Sequence, residues 1–479
     1  MNHFKSLFYC GIILAVLTSC AKDPIIADQA ELSNTTDVEI RATVEGIYAS
    51  MVHEYYMGTD YILLSEPRAD ITYSNGRANR FTTVSSMTIG SIDRDSDDAL
   101  PRAYSMIYEV MGKANVILNS DFDNIELAEG SEADLKHAIG EAYVARAMAG
   151  FDLLRLWGQQ FIDGGSNLGI IYPKTFRTTD LNDLHVPRPS VEENKKDIYD
   201  DIEEGIKFLK EGASSSYDSN KTNITIDAAY ALKSTVGVYF GPSNPEDYQK
   251  AIEGAEQIID TYSLVAAEDY IAYWADASPG EESIFELARS TDNNGGDTID
   301  RMFRIVEGSG YGDIEVFQNF LEDAEFDIDN DVRASKGMID FEGPRLRNMG
   351  KYPSSGTASG TDNPKKIRYA EVVLNYAEAI LSKDPTKSLH YLNQIATARG
   401  AQPYQVSNMD NILKERRKEF MFEGLRFYDL ARTGRDIPEM DPNTPNNHHH
   451  VPAGDPRFAL PIPQHEIDSN PAMEPNPEY

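Results

Sequence analysis

Apolar residues recur every three to four positions along most of this chain, and that spacing predicts helices. Tyr248, Ala251, Ile252, Ala255, Ile258 and Ile259 form one apolar stripe, predicting a helix over residues 245–263. Tyr369, Val372, Val373, Tyr376 and Ile380 do the same within 366–383. Further helices are predicted over 38–56, opening after the capping residues Thr36 and Asp37, and over 100–120. Others span 132–158, stopped by Gly158, and 190–212, from Ser190 as cap to Gly212. Residues 225–241, 385–400 and 412–434 complete the set. Alanine at the packing faces of successive helices predicts tetratricopeptide-like pairs, although no strict repeat of about 34 residues is visible. The fold class expected is therefore mainly α: a superhelical scaffold of helix pairs with long loops and a few short β-hairpins.

The helical pattern lapses near 58–98, 287–313 and 340–366. In the first lapse, Asn75-Gly76 predicts a turn between short strands, and "EESIFELARS" from Glu281 reads as a strand. The other two are rich in Gly, Ser and Asn, and such long loops are usually functional or disordered. At the N-terminus a basic pentapeptide precedes an apolar run that ends in "LTSC" at Cys20. The run has the length of a signal-peptide core and is short for a membrane span. Small residues before a cysteine resemble the lipobox of bacterial lipoproteins. The expected organisation is a signal peptide at 1–19, a tether at 20–37 lipidated on Cys20, and a single domain at 38–479. Only Cys10 and Cys20 occur, so the mature chain would carry no disulfide.

Charge narrows the partners. The 479 residues contain 44 Lys and Arg against 78 Asp and Glu, a net charge of −34, which repels phosphate backbones and excludes nucleic acid as a partner. The stretch "ILKERRKEFMFEGLRFYDLARTG", residues 412–434, places Glu419 and Glu423 one turn apart, as paired catalytic carboxylates would be. On a continuous helix, Arg416, Glu419, Glu423, Arg426 and Asp429 make one stripe of alternating sign. Arg416 and Arg426 would then depress both glutamate pKa values, whereas a general acid needs the opposite. The stripe is expected to be structural, and the chain not to be an enzyme.

The same stretch resembles the C-terminal signature of the SusD/RagB family of outer-membrane lipoproteins of Bacteroidetes. "IRYAEVVLNYAEA", "LNQIATARGA" and "LPIPQHEIDSNPAMEPNPEY" are similar to other family segments, as is "EAYVARAMAGFDLLRLWG" upstream. "EESIFEL", "DNDVR" and "GKY" follow in the family's order. The resemblance implies a single SusD-like domain of four tetratricopeptide-like units with a loop-built ligand face. It also implies a lipid-anchored protein facing the cell exterior, which binds an oligomeric nutrient for a SusC-like TonB-dependent transporter. The nutrient is a glycan in most members and a peptide in the RagB branch. A secreted glycoside hydrolase and a purely protein-binding scaffold are the rival readings.

Aromatic rings are the physical platform for sugars. Trp157 is assigned to the core; Trp274, in "DYIAYWAD", and the loop tyrosines Tyr61, Tyr73 and Tyr311 are the platform candidates. Asp70, Asn75, Arg77 and Arg80 would supply hydrogen bonds to hydroxyls. "DIDNDVRASKGM" from Asp327 has Val332 and Met338 where an EF-hand needs glycine and glutamate, which excludes that motif and leaves only a surface calcium ion open as a cofactor. His448, His449 and His450 lack spaced carboxylate or cysteine partners and are read as a solvated loop.

Overall fold

The computed structural model describes residues 36–88, 99–122, 125, 127–176, 185–289, 302–303, 311–353 and 362–479. The expected signal peptide, Cys20 and nearly all of the tether lie outside the described residues, as do parts of the three expected loops.

Ten longer helices carry the fold: α1 (Asp37–Val52), α2 (Ala99–Leu118), α3 (Glu132–Trp157), α4 (Val191–Glu211), α5 (Ile226–Phe240), α6 (Asp247–Ala255), α7 (Tyr369–Ile380), α8 (Pro385–Ala398), α9 (Met409–Glu419) and α10 (Arg426–Arg432). Their starts follow from local chemistry. Thr36 and Ser190 each form a reciprocal capping box, with Glu39 and Glu193 respectively, satisfying backbone N–H groups that the first turn leaves open. Asp384 caps α8, whose first residue is Pro385, where a missing N–H costs nothing.

Helices α1 and α2, α3 and α4, α5 and α6, and α7 and α8 pack as four successive pairs, in keeping with a tetratricopeptide-like arrangement. Small residues set the spacing. A Cβ on Gly140 of α3 would lie 2.7 Å from the Leu209 side chain and 2.9 Å from its backbone on α4. One on Gly237 of α5 would lie 2.5 Å from the Ala251 backbone on α6. Helix α6 is shorter than its apolar stripe: beyond Ala255 the chain proceeds through turns, yet Ile258 and Ile259 stay buried.

Among the described residues, three two-stranded antiparallel pairs decorate the scaffold. Strand β1 (Thr72–Ser74) pairs with β3 (Ile314–Val316), β2 (Ser283–Glu286) with β6 (Lys365–Arg368), and β4 (Ile339–Glu342) with β5 (Arg345–Asn348). Only β4–β5 is a local hairpin, turning at Gly343 with φ +63°. Asn75-Gly76 ends β1 without starting a hairpin; the partner strand comes from more than two hundred residues away. Residues 58–71, expected to open a surface loop, run through short helical turns and are buried throughout.

The stretch 412–434 is two helices, α9 and α10, separated at Phe420–Leu425. Phe422 and Gly424 take positive φ there, of 70° and 75°. The buried carboxylate of Glu66 accepts the backbone N–H of both residues at 2.8 Å, which holds the corner.

Candidate ligand-binding site

Four of the candidate residues meet on one face of the β1–β3 pair. Side chains alternate along a strand, so Tyr73 and Asn75 lie on the same side as Glu315, which pairs opposite Tyr73. Asp313, two residues before Glu315, continues that side, and its carbonyl accepts the Asn75 backbone N–H at 2.8 Å. The Tyr73 hydroxyl donates to Glu315 Oε2 at 2.6 Å, and Asn75 Nδ2 donates to Glu315 Oε1 at 2.6 Å. Arg80 returns from the following turn, donates to Asp313 Oδ2 at 3.0 Å, and lays its guanidinium 4.0 Å from the centre of the Tyr311 ring. Arg345, from β5, reaches Glu315 Oε1 at 3.1 Å. Tyr73, Asn75, Arg80 and Tyr311 are half-buried and Arg77 is exposed. Burial and the Glu315 carboxylate both raise the Tyr73 pKa, so its hydroxyl stays protonated as a donor.

Asp313, Glu315 and Arg345 were not anticipated. A period-two charge pattern, "DIE" at 313–315 and "RLR" at 345–347, was the available signal, but both triplets are too short to identify a strand alone.

Tyr61, Asp70 and Trp274 are elsewhere. Trp274 is 1% exposed, with its ring 5.2 Å from Tyr352 and 4.7 Å from the Lys351 ammonium, so it is core and offers no platform. Tyr61 is buried under α3, where its hydroxyl donates to Asp152 at 2.7 Å. Asp70 is buried between Arg426, at 2.8 Å, and Arg417, at 3.2 Å. Tyr61 and Asp70 read as surface because the turns after α1 carry no periodicity that marks them as interior, and Trp274 because its helix, Tyr270–Ala275, is too short to show an apolar stripe.

The acidic pair of the 412–434 stretch lies inside the protein. Glu419 accepts from Arg399 at 3.0 Å, Arg368 at 2.9 Å and Arg333 at 3.2 Å. Glu423 is bound by Arg368 and Lys351, each at 2.6 Å. Burial opposes ionisation of Glu419, but Arg399, Arg368 and Arg333 outweigh it and hold the carboxyl well below its usual range. The neutralising cations are therefore not Arg416 and Arg426, as a continuous helix would require. The break at Phe420 turns the stripe apart, and Arg416 pairs with Asp429 at 2.8 Å while Arg426 pairs with Asp70. Burial and Glu423 act on Lys351 in opposite directions; burial prevails and lowers its pKa to about 8.

Cavities add little to this choice. An internal cavity of about 50 Å³, lined by Asp152, Arg155, Lys366, Arg368, Glu371 and Glu423, is far below the roughly 300–1,000 Å³ of ligand pockets. A surface groove of about 550 Å³ beside α8 is lined by Tyr262 and Tyr369, whose hydroxyls are already donated to Asp227 and the Ile259 carbonyl. His448 is buried against the Ala69 carbonyl, whereas His449 and His450 each face a separate carboxylate. Asp331 of the 327–338 segment is bound to Arg333, and among the described residues no group of three or more His, Cys, Asp or Glu side chains converges as metal ligands would.

Comparison with known proteins places the architecture. Residues 324–479 match the family model described as the SusD family, and residues 19–238 match one described as starch-binding associating with outer membrane. A SusD-like protein of Formosa agariphila is 25% identical across 92% of this chain and 94% of its own. A crystal structure of a putative sugar binding protein from Bacteroides vulgatus superposes with a TM-score of 0.80 at 26% identity, covering 93% of this chain and 99% of that one. Surface glycan-binding protein A from Bacteroides fluxus shares the fold, with a TM-score of 0.72 at 20% identity over 93% of this chain and 100% of its own. With family matches at both ends and one fold throughout, the chain belongs to the SusD-like family.

Proposed function

We propose that this protein binds an oligomeric glycan at the cell surface and delivers it to a SusC-like TonB-dependent transporter, without catalysing a reaction itself. The observation that carries this reading is the convergence of Tyr73, Asn75, Arg80 and Tyr311 on one half-exposed face. Rings and hydrogen-bonding groups on a rigid strand pair are what sugar recognition requires. The names of the similar proteins from Bacteroides vulgatus and Bacteroides fluxus, a putative sugar binding protein and a surface glycan-binding protein, support the same ligand class.

In this reading Cys20 carries the lipid that anchors the protein to the outer membrane, with the domain facing outward. Among the described residues no helix is long and apolar enough to cross a membrane, which is compatible with a lipid anchor. Glu419 and Glu423, fixed as buried carboxylates, act in folding and not in proton transfer. A glycan and peptide array probed with the full chain tests the reading. Retention of glycans, weakened by Tyr311→Ala, is the expected result. Retention of peptides alone would replace it with a RagB-type peptide receptor. Release of reducing ends from a retained glycan would make the protein a hydrolase instead.

A further inference from the structure

The candidate face has a layered charge distribution. The carboxylates of Asp313 and Glu315 are sunk beneath the guanidiniums of Arg80 and Arg345, while Glu342, opposite Arg345, is 41% exposed. The side chains of Asp313 and Glu315 are 0% and 6% exposed, whereas those of Arg80 and Arg345 are each 38% exposed. Arg77, in the turn after β1, is exposed and makes no ion pair among the described residues. Arg347, beside Arg345 on the same side of β5, is fully buried and pairs with Glu342 of β4 at 2.7 Å, which neutralises that acid. Asp340, the other acid on β4, pairs opposite Arg347 and accepts the backbone N–H of Phe341 at 2.8 Å.

A ligand approaching this face therefore meets Arg80 and Arg345, flanked by the Tyr73 and Tyr311 rings, with exposed Arg77 in the adjoining turn. The acids beneath are already engaged: Glu315 by Tyr73, Asn75 and Arg345, and Asp313 by Arg80 and the Ala78 backbone N–H. They fix the guanidiniums in place and leave little acceptor capacity for a sugar hydroxyl. Guanidinium donors match a planar carboxylate or a sulfate in paired, charge-assisted hydrogen bonds, which are about twice as strong as neutral ones. The net charge of −34 opposes a polyanion over the molecule as a whole, so a local cationic cluster is what an anionic ligand needs here.

On the reading that this face binds a glycan, we propose that its ligand is an anionic glycan, bearing uronate carboxylates or sulfate esters that Arg77, Arg80 and Arg345 hold. Neutral glucans offer these guanidiniums only hydroxyl acceptors, with no anion to pair.

Calorimetric titration of the full chain tests this. Polygalacturonate and alginate supply the carboxylate arm, dextran sulfate and carrageenan the sulfate arm, and dextran and amylose the neutral controls. The expected result is saturable binding in one anionic arm, at least tenfold tighter than either neutral control. Arg80→Gln and Arg77→Gln should each weaken it at least tenfold. Arg77 is exposed and holds no ion pair among the described residues, so Arg77→Gln keeps the fold and the test stands even if Arg80→Gln unfolds. Binding of amylose or dextran with none of the anionic polymers would overturn the anionic assignment while leaving the glycan reading intact. Binding of none of the six, with peptides retained on the array, would remove both. Anionic binding unchanged in both variants would also overturn the proposal, since the charge would then be read elsewhere.

Discussion

Glu419 is a carboxylate that three guanidiniums share, and its removal takes from buried Arg333, Arg368 and Arg399 the anion that joins them. Breaking such a network from one side costs about 3–5 kcal/mol. Glu419→Ala should lower the unfolding free energy from denaturant titration by that amount with an unchanged slope, and leave ligand affinity of the remaining folded protein untouched. Glu66 gives a second residue-scale prediction. Burial pushes its carboxyl up to about 7 from 4.5, although the N–H groups of Phe422 and Gly424 pull the other way. The folded state then holds this proton more tightly than the unfolded chain. Its contribution is complete below about pH 4.5 and is lost as pH rises through 7. Denaturant titrations from pH 4.5 to 8 should show the wild type losing on the order of 3 kcal/mol relative to Glu66→Gln across that window. Asp152 works in the opposite sense. Despite burial, Lys366 and Arg155 hold it at about 2, so its stabilisation is present at neutral pH and fades only as acid approaches that value. At this scale the sequence was legible where a residue answered to its neighbours, as Thr36 and Ser190 did. It was not legible for Glu419, because the partners that fix its charge come from elsewhere in the chain.

Pairs of helices depend on how closely their backbones approach. Gly140→Ala raises helix propensity, yet its Cβ would press on Leu209 at 2.7 Å and on backbone at 2.9 Å. Forcing α3 from α4 should cost about 1–3 kcal/mol. At Gly112 in α2 an added Cβ would have nothing within 4 Å of it, so Gly112→Ala should stabilise by about 0.5–1 kcal/mol. Thermal denaturation of the two variants side by side checks both signs. The helices themselves were readable from spacing and caps, because both signals are local. The corner at Phe420–Leu425 was not, since it is held by Glu66 from far upstream. Strand pairing failed to read for the same reason: β1 and β3 are three residues each, and neither alone has enough length to show a period.

The whole molecule combines a strongly acidic composition with an interior rich in ion pairs. The scaffold class was visible in the sequence because helix pairs recur, and four of the eight ligand residues expected from it share one face. Tyr61 and Asp70 were misplaced because a buried turn and an exposed loop have similar composition, and Trp274 because a helix of six residues shows no stripe. Attachment is a property of the whole chain as well. If Cys20 bears the lipid, Cys20→Ser should move the protein from the membrane pellet to the soluble fraction while thermal stability of the domain is unchanged. Retention in the pellet would require another anchor.

Counted in order of synthesis, the interior cluster is out of balance until late. By residue 399 the chain has contributed Arg333, Lys351, Arg368 and Arg399, but only Glu282 and Asp331 to meet them. Glu415, Glu419 and Glu423 arrive afterwards. A growing polypeptide thus carries surplus positive charge that no dry interior accepts. Its centre cannot close before the final stretch appears. If residues 1–19 are an export signal, as proposed, that delay would keep the chain slack enough to pass as an extended thread.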